Sequence, residues 1–312
     1  MLSVWISASF DTVRTPTRIA LGNFDGIHLG HQWVMRPILH SVATGVPTVV
    51  TFHPHPQAFF TGQQRELLTP LSEKAVVLSD LGIEQLVLLP FDQVLATLTP
   101  QEFVEDILLT KLQAQEISVG QDFRFGRSRS GTVADLEAIA TARGITVHIA
   151  SLYTHGHERV SSSAIREALT QGDLERVTCL LGRTYTLMGE VVQGQQLGHR
   201  LGFPTANLSL PPEKFIPRHG VYVVRVHNAL WGDDTQPGVM NIGVRPTVDG
   251  AKLSAEVHLL DWVGNLYGQT LTVSLDQFLR PEQKFASLDA LKSQIQADCE
   301  KARSLSALSR LA

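Results

Sequence analysis

The 312-residue chain has only two cysteines, Cys179 and Cys299. Two thiols so far apart exclude a disulfide framework and a zinc site built from cysteines alone, and they fit a reducing compartment. No stretch approaches the roughly 18 consecutive apolar residues that a membrane-crossing helix needs. The N-terminal run MLSVWISASFDTVRTP lacks a basic segment followed by an apolar core, so no secretory signal is expected. A basic excess is also missing. The formal net charge is −4 and the pI is near 6.3, the wrong balance for a general nucleic-acid or membrane-surface binder. No nucleic acid, no membrane and a cytoplasmic location are therefore expected. The Walker pattern G-x-x-x-x-G-K-[ST] is absent, which excludes a P-loop NTPase. Internal repeats and low-complexity tracts are absent too.

Apolar residues are plentiful, at 43% of the chain, and the length suits two domains. From residue 18 to about 150 the apolar runs are short and continuous: RIALG, PTVVTF, QLVLLPF, EISVG and TVHIAS. Between most of them lie helical patterns such as HQWVMRPILHSVA and TVADLEAIATARG. Strands alternating with helices predict an α/β domain with a doubly wound parallel sheet, whose ligands bind beyond the carboxyl ends of the strands. Residues 161–182 read as two helices, the second capped by Asp173 and stopped by Gly182. The rhythm then changes to strands separated by Gly, Pro, Asp and Asn, the pattern of a mostly antiparallel barrel or sandwich, before a final helical stretch. The expected domains are residues 1–182 and 183–312.

The junction of the first strand and helix reads GNFDGIHLGH, residues 22–31. Glycines after a strand let the backbone approach a ligand, and a helix N-terminus suits phosphate. His28 and His31 lie on the turn and the first helical turn, where an imidazole can donate to a phosphate oxygen as charge builds on it. A second phosphate-suited segment is VSSSAIREAL at 160–169, where Ser162 and Ser163 start a helix and Arg166 follows. In the second half, GHRLGFPTANLSL at 198–210 puts Thr205 and Asn207 on one face of an extended segment. A hydroxyl and a carboxamide oxygen are hard ligands suited to Mg²⁺. Further on, AEVHLLDW at 255–262 carries Glu256 on an otherwise apolar strand, a costly placement for a carboxylate without a task or partner.

GNFDGIHLGH resembles the H-x-G-H signature of nucleotidyltransferases, and PTAN resembles the MgATP signature of riboflavin kinases. Together, in this order, they resemble the prokaryotic bifunctional riboflavin kinase/FMN adenylyltransferase (FAD synthetase) family over nearly the whole chain. The resemblance implies a Rossmann-like nucleotidyltransferase domain, then a β-barrel kinase domain with a terminal helix. It implies two reactions: riboflavin and ATP give FMN, and FMN and ATP give FAD and pyrophosphate, with Mg²⁺ as cofactor. It further implies an adenylyltransferase ATP site of Gly22, Asp25, His28, His31, Ser162, Ser163 and Arg166. The loop VGQDFRFGRSRSG at 119–131 would hold flavin through Asp122 and Phe125 and phosphate through Arg129, and TFHPHP at 51–56 also fits the family. In the kinase half, Gly202, Thr205 and Asn207 would hold MgATP, Glu256 would be the general base, and Arg280 would line the flavin side. Gly189, Gly194 and Gly198 would join Gly202 in hinging a flap. One of Phe123 and Phe125 is expected to face away from the other and to serve something besides core packing. The chain departs from many relatives at Ser163 (Thr) and His199 (Arg), and from some at Ala164 (Arg) and Asp122 (Asn). The competing reading is a nucleotidyltransferase with another phosphorylated acceptor and a barrel that only senses flavin; intact PTAN and Glu256 weigh against the sensor.

Overall fold

The computed structural model describes residues 4–156, 158–194, 198, 201–232, 234–247 and 250–309. Packing divides the chain into two compact units, Met1–Ser162 and Ser163–Ala312.

In the first unit, six strands form one parallel sheet: β1 (Trp5–Ser7), β2 (Thr17–Leu21), β3 (Val46–His53), β4 (Gln85–Pro90), β5 (Ala114–Gly120) and β6 (Thr146–Ala150). Their order is β1-β4-β3-β2-β5-β6. The continuous apolar runs have a simple cause. Ile19 and Leu21 of β2 enter one core cluster and Ala20 enters another, so both faces of the sheet are covered. The longer helices of this unit are α1 (Leu29–His40), α2 (Pro56–Thr61), α3 (Leu71–Asp80) and a π-helical stretch, Phe103–Lys111; α4 (Val133–Thr141) precedes β6. β2 lies between β3 and β5. The chain leaves β2 toward one edge and later returns on its other side, which makes the carboxyl ends of β2 and β5 the topological switch point. β1 was not expected from the sequence: it has three residues and no apolar run, and it pairs in parallel with β4 at the sheet edge.

The second unit holds the helices α5 (Ser162–Gln171) and α6 (Leu174–Leu181) and a closed antiparallel barrel. Asp173 caps α6, accepting from the Arg176 N–H at 3.0 Å, and Gly182 ends it at φ 72°. The barrel strands are β7 (Thr186–Val192), β8 (Ala206–Ser209), β9 (Gly220–Asn228), β10 (Thr235–Thr247), β11 (Gly250–Leu259) and β12 (Thr270–Arg280). They close in the order β8-β11-β10-β9-β12-β7. Alternation divides β9: Tyr222, Val224 and Val226 fill the interior, while Val221 and Val223 cluster with Cys299 and Ala302 of the terminal helix α7 (Leu288–Ser309). α7 therefore covers part of the barrel's outer wall. Packing divides the chain earlier than the change of rhythm near residue 183 because α5 and α6 lie on barrel segments. Arg218 donates its N–H to Leu169 O at 2.9 Å and its guanidinium to Gln171 O at 3.1 Å, and α6 lies against β12.

Candidate active sites

The loop between β2 and α1 is strained. Phe24, Gly26 and Ile27 all have positive φ, at 47°, 94° and 41°. For a bulky or β-branched residue that conformation costs about 1–3 kcal/mol. Burial of both side chains in the core offsets it, Phe24 being 2% and Ile27 0% exposed. This path delivers His28 to the N-cap of α1, where its Nδ1 accepts from the His31 N–H at 3.2 Å. That bond assigns the ring proton to Nε2, the nitrogen that can donate to a phosphate oxygen. The His28 and His31 rings stack with centroids 3.6 Å apart, and Phe24 meets His31 edge-on at 5.2 Å. Gly30 matters because a Cβ there would lie 3.2 Å from the His28 ring. Gly22 continues the sheet, donating its N–H to Val50 O at 3.1 Å. Asp25 is buried, and its Oδ1 accepts from the Thr69 N–H at 3.2 Å. Ser162 Oγ donates to Asp25 O at 2.8 Å. Gly22, Asp25, His28, His31 and Ser162 thus meet at one loop. Ser163 and Arg166 belong to the second unit, where the Arg166 guanidinium lies 5.6 Å from the Phe215 ring centroid.

On the other side of the switch point, the loop after β5 carries Asp122, which pairs with Arg159 at 2.7 Å on the surface. The expected divergence of Phe123 and Phe125 is not found: residues two apart on a strand share a face, so their spacing gave no ground for it. Both leave the extended conformation with the turn at Gly120, their rings stack with centroids 5.7 Å apart, and Phe125 packs on Phe103 in the core. Arg129 is exposed with φ 58°. After β3, the TFHPHP segment opens α2, and His55 caps it by accepting from the Gln57 N–H at 3.1 Å. Phe59, Phe60 and Phe91 pack edge to face there, and Phe60 is 70% exposed.

In the barrel the site is built on strands. Glu256 of β11 has Asn207 of β8 and Asn241 of β10 as its register partners. Ser254 Oγ donates to Glu256 Oε1 at 2.6 Å, and Thr205 Oγ1 approaches Oε2 at 3.5 Å. Glu256 and His258 line a cavity of about 350 Å³ bounded by Arg280 and by Ile295, Asp298 and Cys299 of α7. Arg280 holds Asp298 with a two-pronged ion pair, the closest contact being 2.8 Å. Burial pushes the Cys299 thiol up to about 11. A second cavity of about 300 Å³, lined by Val191, Trp262, Asn265 and Tyr267, also reaches Thr205. Thr205 is therefore common to both. A Cβ on Gly194 would fall 2.4 Å from the Asn207 carboxamide, so glycine lets that segment lie against Asn207. Gly202 has φ 90° and is exposed. His199 lies outside the described residues.

A family model described as FAD synthetase matches residues 11–164, and one described as riboflavin kinase matches residues 181–306. A Pseudomonas fluorescens protein named bifunctional riboflavin kinase/FMN adenylyltransferase is 42% identical over 292 residues, covering 92% of each chain. The chain belongs to that bifunctional family. An Escherichia coli K12 member is 39% identical over 283 residues, covering 90% of each chain. A crystal structure of a Streptococcus pneumoniae protein named as a macrolide-efflux protein has a TM-score of 0.84 and 29% identity, covering 96% of this chain and 98% of that one. Among the described residues, no helix is long and apolar enough to cross a membrane.

Within this family member, sequence reasoning missed the supports of both sites. Thr69 and Lys74, in LTPLSEK, meet the histidine loop; their signal was faint, a lysine on the buried side of α3. Burial holds the Lys74 ammonium below its usual range, and the nearby Asp25 carboxylate opposes that. Ser254, Asn241 and Asp298 join Glu256 and Arg280, and only strand pairing could have found them.

Proposed function

We propose that the riboflavin kinase reaction runs at Glu256 and the FMN adenylyltransferase reaction at His28 and His31, with residues 183–312 and 1–182 as the respective catalytic parts. The observation that carries the kinase assignment is the Glu256 carboxylate at the wall of a flavin-sized cavity, with Thr205 and Asn207 beside it. Riboflavin would occupy the cavity bounded by Arg280, with Glu256 taking the proton of the ribityl 5′-hydroxyl as that oxygen attacks the γ-phosphorus of ATP and ADP leaves. The nucleotide would occupy the cavity lined by Trp262 and Asn265, so that its phosphates end at Thr205 and Gly202. Thr205 and Asn207 offer hard neutral oxygens, and the described residues contain no cluster of three His, Cys, Asp or Glu suited to a resident metal. That donor set fits an Mg²⁺ ion that arrives with ATP. When bound, it supplies charge neutralisation on the phosphates.

In the first unit, an FMN phosphate oxygen would attack the α-phosphorus of ATP, forming the new P–O bond as the bond to pyrophosphate breaks. This nucleophile is already anionic and needs no base. His28 and His31, at the α1 N-terminus with Gly22, Asp25 and Ser162, would stabilise charge on the α-phosphate. The loop of Asp122, Phe125 and Arg129 would take FMN: Arg129 meets its phosphate, Phe125 backs the wall, and the exposed Phe60 offers a ring for stacking. A cytoplasmic location fits the scarcity of cysteine. The test is direct. Purified protein given riboflavin, ATP and Mg²⁺ yields FMN and then FAD. Glu256→Gln forms no FMN from riboflavin yet converts supplied FMN to FAD. Loss of both activities in a folded Glu256→Gln protein refutes the division of labour.

A further inference from the structure

Adenylyl transfer, in the reading above, depends on two imidazoles delivered by a strained loop. Something must hold that loop. Thr69, 2% exposed, stands just ahead of α3 and makes two bonds of opposite sense to it. Its N–H donates to Asp25 Oδ1 at 3.2 Å, and its Oγ1 accepts from the Gly26 N–H at 3.0 Å. Lys74, one turn into α3 and 8% exposed, donates its Nζ to Asn23 O at 3.3 Å. Thr51 Oγ1 of β3 donates to the same oxygen at 3.1 Å. These bonds fall at Asn23, Asp25 and Gly26, immediately before Phe24 and Ile27, the two residues forced to positive φ. We propose that Thr69 and Lys74 are positioning residues for adenylyl transfer, which hold the Asn23–Ile27 path so that His28 and His31 are presented in the reactive arrangement.

The choice of side chains supports a polar role rather than a packing one. A valine would fill the place of Thr69 equally well and needs no partner. A buried ammonium is costly without an acceptor and a counter-charge. Here the acceptor is a carbonyl of the histidine loop, and the counter-charge is Asp25 of the same loop. Neither Thr69 nor Lys74 needs to touch substrate. Their effect runs through the backbone to the ring positions.

The inference rests on the assignment of adenylyl transfer to His28 and His31, and the experiment separates the two. The full-length chain is assayed for FAD formation from FMN and ATP, with FMN formation from riboflavin as an internal reference, for Thr69→Val, Thr69→Ser, Lys74→Met and His28→Asn. Thr69→Val and Lys74→Met are expected to lower kcat for FAD formation about ten- to a hundredfold, with KM for FMN changed less than about twofold. Thr69→Ser, which keeps the acceptor, is expected to stay within about threefold of the parent, and FMN formation is expected to be unchanged in all of them. Wild-type kcat in Thr69→Val, equal losses in the Val and Ser variants, or a rise confined to KM overturns the proposal. If Lys74→Met does not fold, the Thr69 pair decides alone. If His28→Asn still makes FAD, the histidine assignment fails whatever Thr69 does. If His28→Asn is inactive and Thr69→Val is not, only the present inference fails.

Discussion

In the reading proposed above, the two halves meet phosphate in opposite ways. In the first unit the chemistry-bearing groups sit on loops beyond the ends of parallel strands, and nearly all of the constellation comes from one ten-residue segment, Gly22–His31. The groups this reading aims at phosphate are imidazole donors, and the segment's shape is enforced by a backbone held at positive φ. In the barrel the groups come from residues far apart in sequence: Asn207, Asn241 and Glu256 sit on strands and are joined by register, and Thr205 stands just ahead of β8. The central group there is a carboxylate. The difference follows the nucleophile. A neutral hydroxyl must lose a proton, which calls for a base; a phosphate monoester is already charged, which calls for donors. Each fold supplies what it supplies cheaply: a helix N-terminus gives donors, and paired strands give fixed cross-strand neighbours.

Selective damage should break this contrast cleanly. The largest effect is expected from Glu256→Gln. Loss of the base lowers FMN formation by about 10²–10⁴-fold while FAD formation from FMN is kept; separation of flavins by chromatography reads both. His28→Asn comes next. Asparagine is a good N-cap, so α1 keeps its start while the imidazole is lost. FAD formation is expected to fall about 10²–10³-fold, with FMN formation and thermal unfolding unchanged. Asp298→Ala leaves Arg280, 19% exposed at its side chain, without its carboxylate in the cavity beside Glu256. The barrel is expected to lose about 2–3 kcal/mol in denaturant unfolding, less than a fully buried pair because water still reaches the guanidinium. Gly30→Ala would set a methyl 3.2 Å from the His28 ring. A shift of a few tenths of an ångström is expected to reduce FAD formation about tenfold, while the helix gains up to about 1 kcal/mol from alanine's propensity. The smallest effect concerns the thiols. With its thiol near 11 and its side chain buried, Cys299 is expected to resist alkylation at pH 8, leaving a single adduct on the exposed Cys179 by mass spectrometry.

Much of the fold was legible because its central strands are buried on both faces, and such strands write themselves as unbroken apolar runs: β2 to β5 each coincide with one, while the edge strand β6 carries its run half-exposed. Helices announced themselves by spacing and by caps such as Asp173. What stayed hidden was relational. β1 has too few residues to carry a pattern. The packing of α5 and α6 on the barrel depends on Arg218, which no local signal connects to Leu169. For the sites, the contiguous histidine motif and PTAN were readable because each is a short segment. Asn241 and Asp298 were not, since their place beside Glu256 and Arg280 exists only once the barrel closes and α7 lies on it. Phe123 and Phe125 show an alternation argument misapplied. Residues two apart in an extended chain share a face, so divergence did not follow from their spacing, and past the turn at Gly120 the two rings stack.

Closure of the barrel has one more consequence. A sheet with no free edge cannot slide one strand against its neighbour by a fraction of a residue, and a full step would turn Glu256 inward and Val257 outward. The spacing of the Asn207 and Glu256 oxygens is thus quantised. On warming, the kinase constellation should persist nearly unaltered until the barrel opens as a whole, whereas the histidine loop, held by a few discrete bonds, can loosen by degrees below that temperature.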